Sequence, residues 1–212
     1  WVFNDKGNVH SETGGPAIGL EIQAQAFAFE TNDEINNMTF YKYQIINRSS
    51  FQLDQTYFGA WVDPDLGLFT DDYVGCDVAR GLGYCYNRDA IDEGVQGYGA
   101  NPPCVGYDFF EGPIADANDT LDNDRDSIVD EPGEKIIMSK FVYYDNDFTD
   151  FGNPENAQDY YNYLKGIWKN GTPMTYGLQG HNGTDVCNFM FPGNTDPNGW
   201  GTNGVPQQPW DE

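Results

Sequence analysis

The sequence is poor in positive charge. It contains 10 lysines and arginines against 34 aspartates and glutamates, which gives a formal net charge of −24 at pH 7 over 212 residues. Nucleic acids and anionic membrane surfaces are bound through clustered basic residues, so the composition argues against both as partners. A chain with this excess of carboxylates repels itself, and bound Ca²⁺ is a common way of offsetting that repulsion.

Several features of enzymes and membrane proteins are also missing. No run of about 18 apolar residues occurs, so no membrane span is predicted. The chain has no G-x-S-x-G, no H-E-x-x-H and no glycine-rich phosphate loop. Only His10 and His181 could add nitrogen ligands, so a zinc site is not expected. A non-enzymatic role is favoured, although so many acids would also supply the carboxylate pair of a glycoside hydrolase.

The chain begins at Trp1 and ends at Glu212, and it shows neither an initiator methionine nor a signal peptide. We interpret it as a mature or excised piece of a longer secreted polypeptide. Its aromatic content of 16% is far above that of a disordered acidic chain, so a folded protein with an acidic surface is predicted.

Cysteines are few, and none forms a C-x-x-C pair; they are Cys76, Cys85, Cys104 and Cys187. An even number in an acidic chain of extracellular type favours disulfides, and four cysteines permit three pairings. Cys76 with Cys85 closes the shortest loop and is the first choice, which leaves Cys104 with Cys187. Buried thiols are the alternative.

Alternating and β-branched or aromatic patterns predict four strands, at residues 18–30, 38–47, 51–63 and 135–145. One α-helix is predicted at about 153–170. Asn153 and Pro154 would begin this helix, apolar residues recur in it at helical spacing, and Asn170-Gly171 would end it.

The remaining segments, 64–134 and 171–212, are crowded with glycine, proline, asparagine and aspartate and are predicted to be loops. Loops this long are unusual in a compact domain unless something fastens them, and disulfides and metal ions are the candidates. The pattern therefore predicts a mainly β fold. It would be a single antiparallel β-sandwich domain over 1–212, with metal- and disulfide-stapled loops and one helix.

The densest acidic stretch is DNDRDSIVDE, residues 122–131. It partly follows the calcium-loop pattern D-x-[DN]-x-[DN]-G, in which alternate side chains point their oxygens at one centre. Ser127 replaces the turn glycine, and Gly133 stands where the bidentate glutamate belongs, so Glu131 or Glu134 would supply that carboxylate. A solvated acidic loop is the alternative. The predicted calcium ligands are Asp122, Asp124, Asp126, the carbonyl of Ile128, Asp130 and Glu131.

A second acidic cluster lies in DPDLGLFTDDYVGCD, residues 63–77, at the end of a predicted strand. A rigid strand end is a good platform for a metal site, and a Cys76–Cys85 disulfide would bring Asn87 and Asp89 near it. Simple turn chemistry is the alternative, because aspartate and proline favour turns. The candidate metal ligands in this cluster are Asp63, Asp65, Asp71, Asp72 and Asp77.

Two further features concern carbohydrate. Asp119-Thr120-Leu121 resembles the short acceptor of bacterial O-glycosylation and predicts glycosylation at Thr120. Trp200 and Trp210, in NGWGTNGVPQQPW, are of the kind that stacks on sugar rings, which makes surface glycans candidate partners.

Three regions of the sequence carry a resemblance: YQIINRSSFQLDQTYFGAWVDPDLG; DDYVGCDVARGLGYCYNRD with YGANPPCVGYDFFEGP; and YYNYLKGIWKNGTPMTYG leading to FMFPGNTDPNGWG. In this order they resemble a group of large secreted proteins of Bacteroidota, typically exported by the type IX secretion system through a C-terminal sorting domain. The resemblance implies that the present sequence is a fragment or processed product without that domain. Such proteins often carry a DNDGDG-like segment where residues 122–131 stand here, with Arg125 and Ser127 replacing the glycines. The resemblance implies a cell-surface location and no particular activity.

These features together predict a calcium-stabilised extracellular segment of a bacterial surface protein, acting in structure, adhesion or assembly. Its expected partners are Ca²⁺, surface glycans, and copies of itself that pair with the exposed edge strand 38–47. A carbohydrate-binding module and a calcium-dependent hydrolase with paired carboxylates are the alternatives.

Overall fold

The computed structural model describes residues 1–5 and 10–192, apart from the side chain of Leu178. Within these residues the chain is mainly β, with three antiparallel sheets and one α-helix, which confirms the predicted fold class. The chain divides into two compact units. The first contains Trp1–Phe58 and Glu155–Tyr160, and the second contains Gly59–Pro154 and the chain from Tyr161 onward. The single sandwich over 1–212 stays a prediction.

The first unit contains a three-stranded sheet in the order β1-β2-β3. Its strands are β1 (Val2–Asn4), β2 (Leu20–Ala28) and β3 (Thr39–Asn47). The last two pair along their whole length, from Leu20 opposite Asn47 to Ala28 opposite Thr39. The strands predicted at 18–30 and 38–47 are thus confirmed. Among the described residues, β3 is an edge strand.

The second unit contains five strands within residues 64–134, where the sequence predicts loop. β4 (Asp72–Asp77), β5 (Leu82–Asn87), β6 (Ile91–Asp92), β7 (Gly99–Ala100) and β8 (Cys104–Asp108) form a β4-β5-β8 sheet and a β6-β7 ribbon. The strand glycines explain the error. A Cβ at Gly83 would stand 2.7 Å from the Phe141 ring, so this glycine leaves room for an aromatic side chain and marks no turn.

The strands predicted at 51–63 and 135–145 do not form. Residues 135–145 make only isolated bridges, at Lys135 and Phe141. Phe141 donates its amide to Asn188 and accepts from Met190, while its ring packs against the core of this unit. Aromatic and β-branched residues suit any half-buried surface, so their presence alone does not distinguish a strand from an irregular packed segment.

The helix α1 (Ala157–Leu164) is shorter than the predicted 153–170. Asn156 caps its start, because its Oδ1 accepts from the amides two and three residues later, at 2.9 and 3.2 Å. The chain leaves the helix at Gly166, which has a φ of +68°. The helix therefore begins after an asparagine and ends before a glycine, as predicted, but it uses Asn156 and Gly166, which lie inside the predicted ends Asn153 and Asn170-Gly171.

Two hydrophobic clusters form the core of the second unit. The larger is built on Tyr163, Trp168, Met174, Cys187 and Met190, and the smaller on Cys76, Val78 and Phe189. Trp168 also donates its indole N–H to the Gly180 carbonyl at 2.8 Å. Phe141 packs against both clusters, which makes them neighbours.

The predicted disulfides are wrong: all four cysteines lie in the described residues and all are thiols. The strand register pairs Cys76 with Gly83 and Cys85 with Val74. The two cysteines are therefore diagonal neighbours, whose Cα atoms lie about 7–8 Å apart, too far for a disulfide. Cys104 is exposed whereas Cys187 is buried, and burial raises the pKa of the Cys187 thiol to about 12. The buried cysteines serve as small core residues.

In the described part of the chain, no helix has the combined length and apolar character needed to span a bilayer.

Candidate cation site

Residues 122–134, the acidic loop, bring carboxylates together in two overlapping groups. One group is Asp122, Asp124 and Glu134, and the other is Asp124, Asp126 and Glu131. Within each group the ligand oxygens lie within 4.8 Å of one another. Two oxygens that bind one Ca²⁺ at 2.3–2.6 Å are at most about 5 Å apart, so both groups are compact enough to share a cation.

The loop closes through hydrogen bonds from its own amides. The Asp122 carboxylate accepts from the amides of Asp126 and Ser127 at 3.1 and 3.0 Å, and Asp126 accepts from Ile128 at 2.8 Å. Ser127 has a φ of +78°, the left-handed conformation that favours glycine. The serine at the position of the turn glycine therefore still makes the turn, and the missing glycine does not prevent the aspartates from converging.

Two residues hold the acidic loop in place. Glu134 is 5% exposed and accepts from the amide of Asn123. Arg125 donates to the Met138 carbonyl at 2.8 Å, and its guanidinium lies 5.4 Å from the centre of the Phe189 ring. Phe189 belongs to the hydrophobic core. Glu134 therefore closes the loop on itself, and Arg125 attaches it to the packed interior.

The loop carboxylates raise the proton affinity of Glu131. A hydrogen bond from its own backbone amide lowers the pKa of Glu131, yet burial and the charges of Glu134, Asp124 and Asp126 outweigh it and raise the pKa overall. Its Oε2 is buried and accepts no hydrogen bond. A bound cation stabilises a buried carboxylate oxygen that lacks a hydrogen bond more than it stabilises a solvated one.

The predicted ligands divide as follows. Asp122, Asp124, Asp126 and Glu131 all belong to the two groups. Asp130 lies in neither group, and it accepts from the Thr120 amide at 3.2 Å. The ligand role of the Ile128 carbonyl and the glycosylation of Thr120, which is exposed, stay predictions.

Glu134 is the residue that the predicted ligand set leaves out, although its carboxylate was one of two considered for the twelfth position. The turn before it brings it back to the loop, because its amide donates to the Glu131 carbonyl at 3.2 Å. The Pro132-Gly133 dipeptide is the sequence signal for that turn.

The second acidic cluster does not form one site. Asp63 and Asp65 are exposed, while Asp77 is buried and forms an ion pair with Arg80. Asp71 and Asp72 lie together at the start of β4, where Asp72 pairs with Asn87 of β5. Asn87 is thus close because of strand pairing and not because of a disulfide. Asp89, also proposed as a neighbour, is exposed and accepts from the Ile91 amide at 2.9 Å.

Without calcium, we expect the protein to become more stable as the pH falls from neutral toward 4.5. Burial raises the pKa of Asp72, and the pKa of Glu131 is also raised. These carboxyls bind protons more tightly in the folded state. Stability is therefore gained as the pH falls through their folded pKa values, and the gain is complete below the unfolded values of 3.8 and 4.5.

Glu21 and Asp147 act in the opposite direction but at lower pH. Hydrogen bonding lowers the pKa of each below its ordinary value of 4.5 or 3.8, so their contribution is lost only as the pH falls further. Thermal unfolding followed by circular dichroism in EDTA tests the gain. Saturating Ca²⁺ should reduce it, because a cation favours the ionised carboxylates. A melting temperature in EDTA that falls steadily from neutral pH would contradict the expectation.

Comparison with known proteins finds no match: no family model, no curated protein and no solved structure is significantly similar to this chain. The resemblance to secreted Bacteroidota proteins therefore stays a prediction, and inference about function depends on the residues themselves.

Proposed function

We propose that this chain is a calcium-stabilised structural segment of an extracellular bacterial surface protein. The observation that carries the proposal is the convergence of five carboxylates in the acidic loop, where Asp124 belongs to both groups. A loop of like charges that folds back on itself is costly unless a cation is bound. Ca²⁺ would turn that repulsion into a link between the loop and the core beneath it.

The donor set supports calcium over other metals. All five side chains are carboxylates, and neither group contains histidine or cysteine. Carboxylate oxygens suit Ca²⁺, Mg²⁺ or Mn²⁺, whereas zinc prefers nitrogen and sulfur. Calcium takes six to eight oxygens in flexible geometry, and Mg²⁺ demands a small octahedron. Overlapping groups of carboxylates on an irregular loop fit the larger, more tolerant ion.

The extracellular location is supported by the exposure of this loop. Asp126 is exposed, and Asp122 and Asp124 are half-buried, so water competes for the cation. Sites of this kind in extracellular modules have dissociation constants of about 10⁻⁴–10⁻³ M, and such a site is filled where calcium is millimolar. The predicted disulfides no longer support an oxidising compartment, since the four cysteines are thiols.

Association with further copies is supported by β3. This strand has nine residues, and among the described residues it pairs on one side only. It also presents exposed Tyr41 and Tyr43. An exposed edge of this length can add a strand from another chain, which is the simplest route from a calcium-stabilised segment to an adhesive or assembling one.

The two alternative functions have less support. The carbohydrate-binding module depended on Trp200 and Trp210, which lie outside the described residues. The hydrolase would take its carboxylates from the second acidic cluster, residues 63–77. Asp71 and Asp77 of that cluster are buried, and a buried carboxylate is poorly placed to reach a polymeric substrate.

Limited proteolysis tests the proposal, because Arg125 is a trypsin site inside the acidic loop. We expect Ca²⁺ to slow cleavage after Arg125, since ordering the loop removes the extended conformations that a protease binds. The same concentration of Mg²⁺ should protect less. Cleavage after Arg48, which lies in the first unit and outside the loop, is the internal control. Mass spectrometry of the fragments over time gives both rates, and equal rates at Arg125 in Ca²⁺ and EDTA would refute the proposal.

A further inference from the structure

A second set of oxygens is buried without partners at the start of β4. Asp71 is 7% exposed, and neither of its carboxylate oxygens has a hydrogen-bond partner. Asn87 is 6% exposed, and its Oδ1 is buried without a hydrogen-bond partner. The same is true of Asp72 Oδ1. Buried polar atoms are nearly always satisfied, so four oxygens without partners on three adjacent residues indicate a ligand.

The backbone places these three residues next to one another. Asp72 and Asn87 are directly paired across β4 and β5. The Asp71 carbonyl accepts from the Arg88 amide at 2.9 Å, which continues the pairing by one residue. The strand pairing therefore fixes the backbone positions of the three residues without a ligand.

The orientation of the Asn87 amide is determined by its donors. Its Nδ2 donates to the carbonyls of Asp89 and Ile91 at 3.1 and 3.3 Å. Exchanging nitrogen and oxygen would place Oδ1 against these two carbonyls, so Oδ1 must be the orphaned atom. In Asp72, Oδ2 accepts from the Leu66 amide at 2.8 Å, and Oδ1 has no hydrogen-bond partner. The unpartnered atoms are therefore all acceptors.

The local charge is uncompensated. Asp92 is buried nearby, with its two oxygens accepting from the amides of Leu68 and Tyr98. Burial, and then the charges of Asp71, Asp92 and Asp65, raise the pKa of Asp72. Among the ion pairs of the described residues, none includes Asp71, Asp72 or Asp92. Buried carboxylates in this condition call for a proton or a cation.

We propose that Asp71, Asp72 and Asn87 bind a divalent cation that prefers oxygen ligands, with Ca²⁺ as the expected ion. Two carboxylates and an amide oxygen form a hard donor set, and water would complete the shell. A proton on one carboxyl would remove charge but would leave the other acceptors unsatisfied. A cation satisfies all of them at once. This site is separate from the acidic loop and does not depend on the function proposed for it.

The test is calcium titration of the full chain by isothermal calorimetry, in an Asp124→Asn background that disables the acidic loop. We expect a remaining calcium-binding event. Adding Asp71→Asn should abolish it, because the amide has the shape of the carboxylate without its charge. Asp72→Asn should weaken it at least about tenfold, since one of the few charged ligands is lost while Leu66 keeps an acceptor. Far-UV circular dichroism shows that each variant is folded.

The matched control is Glu93→Gln, which removes one exposed carboxylate from the same region and should leave binding unchanged. Calcium binding that survives both Asp71→Asn and Asp72→Asn would overturn the proposal. The absence of any calcium binding in the Asp124→Asn chain would overturn it as well. If Asp124→Asn leaves the wild-type titration unchanged, the acidic loop is not a calcium site, and the present proposal is unaffected.

Discussion

Replacing Asp124 by asparagine is expected to remove a large part of the calcium-dependent rise in melting temperature. Asp124 is the carboxylate shared by both groups of the acidic loop. Calcium at about 100 times its dissociation constant stabilises the state that binds it by about 2.7 kcal/mol. For a chain of this size that energy corresponds to on the order of 5–10 °C. Differential scanning calorimetry in Ca²⁺ and in EDTA measures the loss.

The substitution is selective for the metal. Asp124 Oδ1 accepts from the Asp126 amide at 3.2 Å, and an asparagine oxygen can accept the same bond, so the loop turn is kept. Asp116→Asn is the matched control, because it removes an exposed carboxylate from the same region but outside both groups. A calcium-dependent rise that is equally large in the two variants would show that the acidic loop is only a solvated turn.

Replacing Phe189 by alanine should cost the second unit about 3–5 kcal/mol of unfolding free energy, the usual loss for a buried phenylalanine. Phe189 is 2% exposed and packs with Cys76 and Val78. It also carries the Arg125 guanidinium over its ring. The same change therefore weakens both the hydrophobic core and one attachment of the acidic loop. Urea unfolding followed by circular dichroism measures the effect.

Two comparisons separate these contributions. Phe148→Ala removes a phenylalanine that is 79% exposed and should change stability by less than about 0.5 kcal/mol. Phe189→Leu keeps apolar volume but removes the aromatic face, so it should additionally report the contact with Arg125, worth about 0.5–1 kcal/mol at a partly exposed site. Similar losses for Phe189→Ala and Phe148→Ala would mean that Phe189 is not a core residue.

Both experiments concern the same structural idea, in which a cation joins an irregular acidic loop to a packed interior. Glu134 is a buried member of one carboxylate group, and Arg125 connects the loop to the core through Phe189 and Met138. Calcium binding and core stability should therefore be thermodynamically coupled, as expected of groups that share one contact network.

Two strands and the acidic loop could be predicted from the sequence. The alternation of apolar and polar residues in β2 and the β-branched and aromatic run in β3 predicted both strands to within a few residues, because period-two patterning is a local property. The alternate spacing of Asp122, Asp124 and Asp126 predicted oxygens that face one centre, and in the structure Asp124 shares one group with Asp122 and another with Asp126. Short-range patterns were enough to predict these two features.

Other features depended on partners distant in the chain. Gly75 of β4 and Gly83 of β5 suggest turns in the sequence. In the structure they leave space for the rings of Tyr84 and Phe141. The spacing of Cys76 and Cys85 suggests a disulfide, but the strand register places the two residues diagonally across β4 and β5. In each case the decisive contact joins residues whose proximity no short-range pattern encodes.

The sequence by itself determined that this protein is acidic, mainly β and equipped with a candidate calcium loop, because charge, alternation and ligand spacing act over a few residues. Only the tertiary structure decided which carboxylates meet and which are compensated. It paired Asp77 with Arg80, buried Glu134 within the acidic loop, and left carboxylate oxygens of Asp71 and the Oδ1 of Asn87 buried without hydrogen-bond partners. The physical reason is that burial and neutralisation depend on the whole surrounding structure, whereas turn and strand propensity do not.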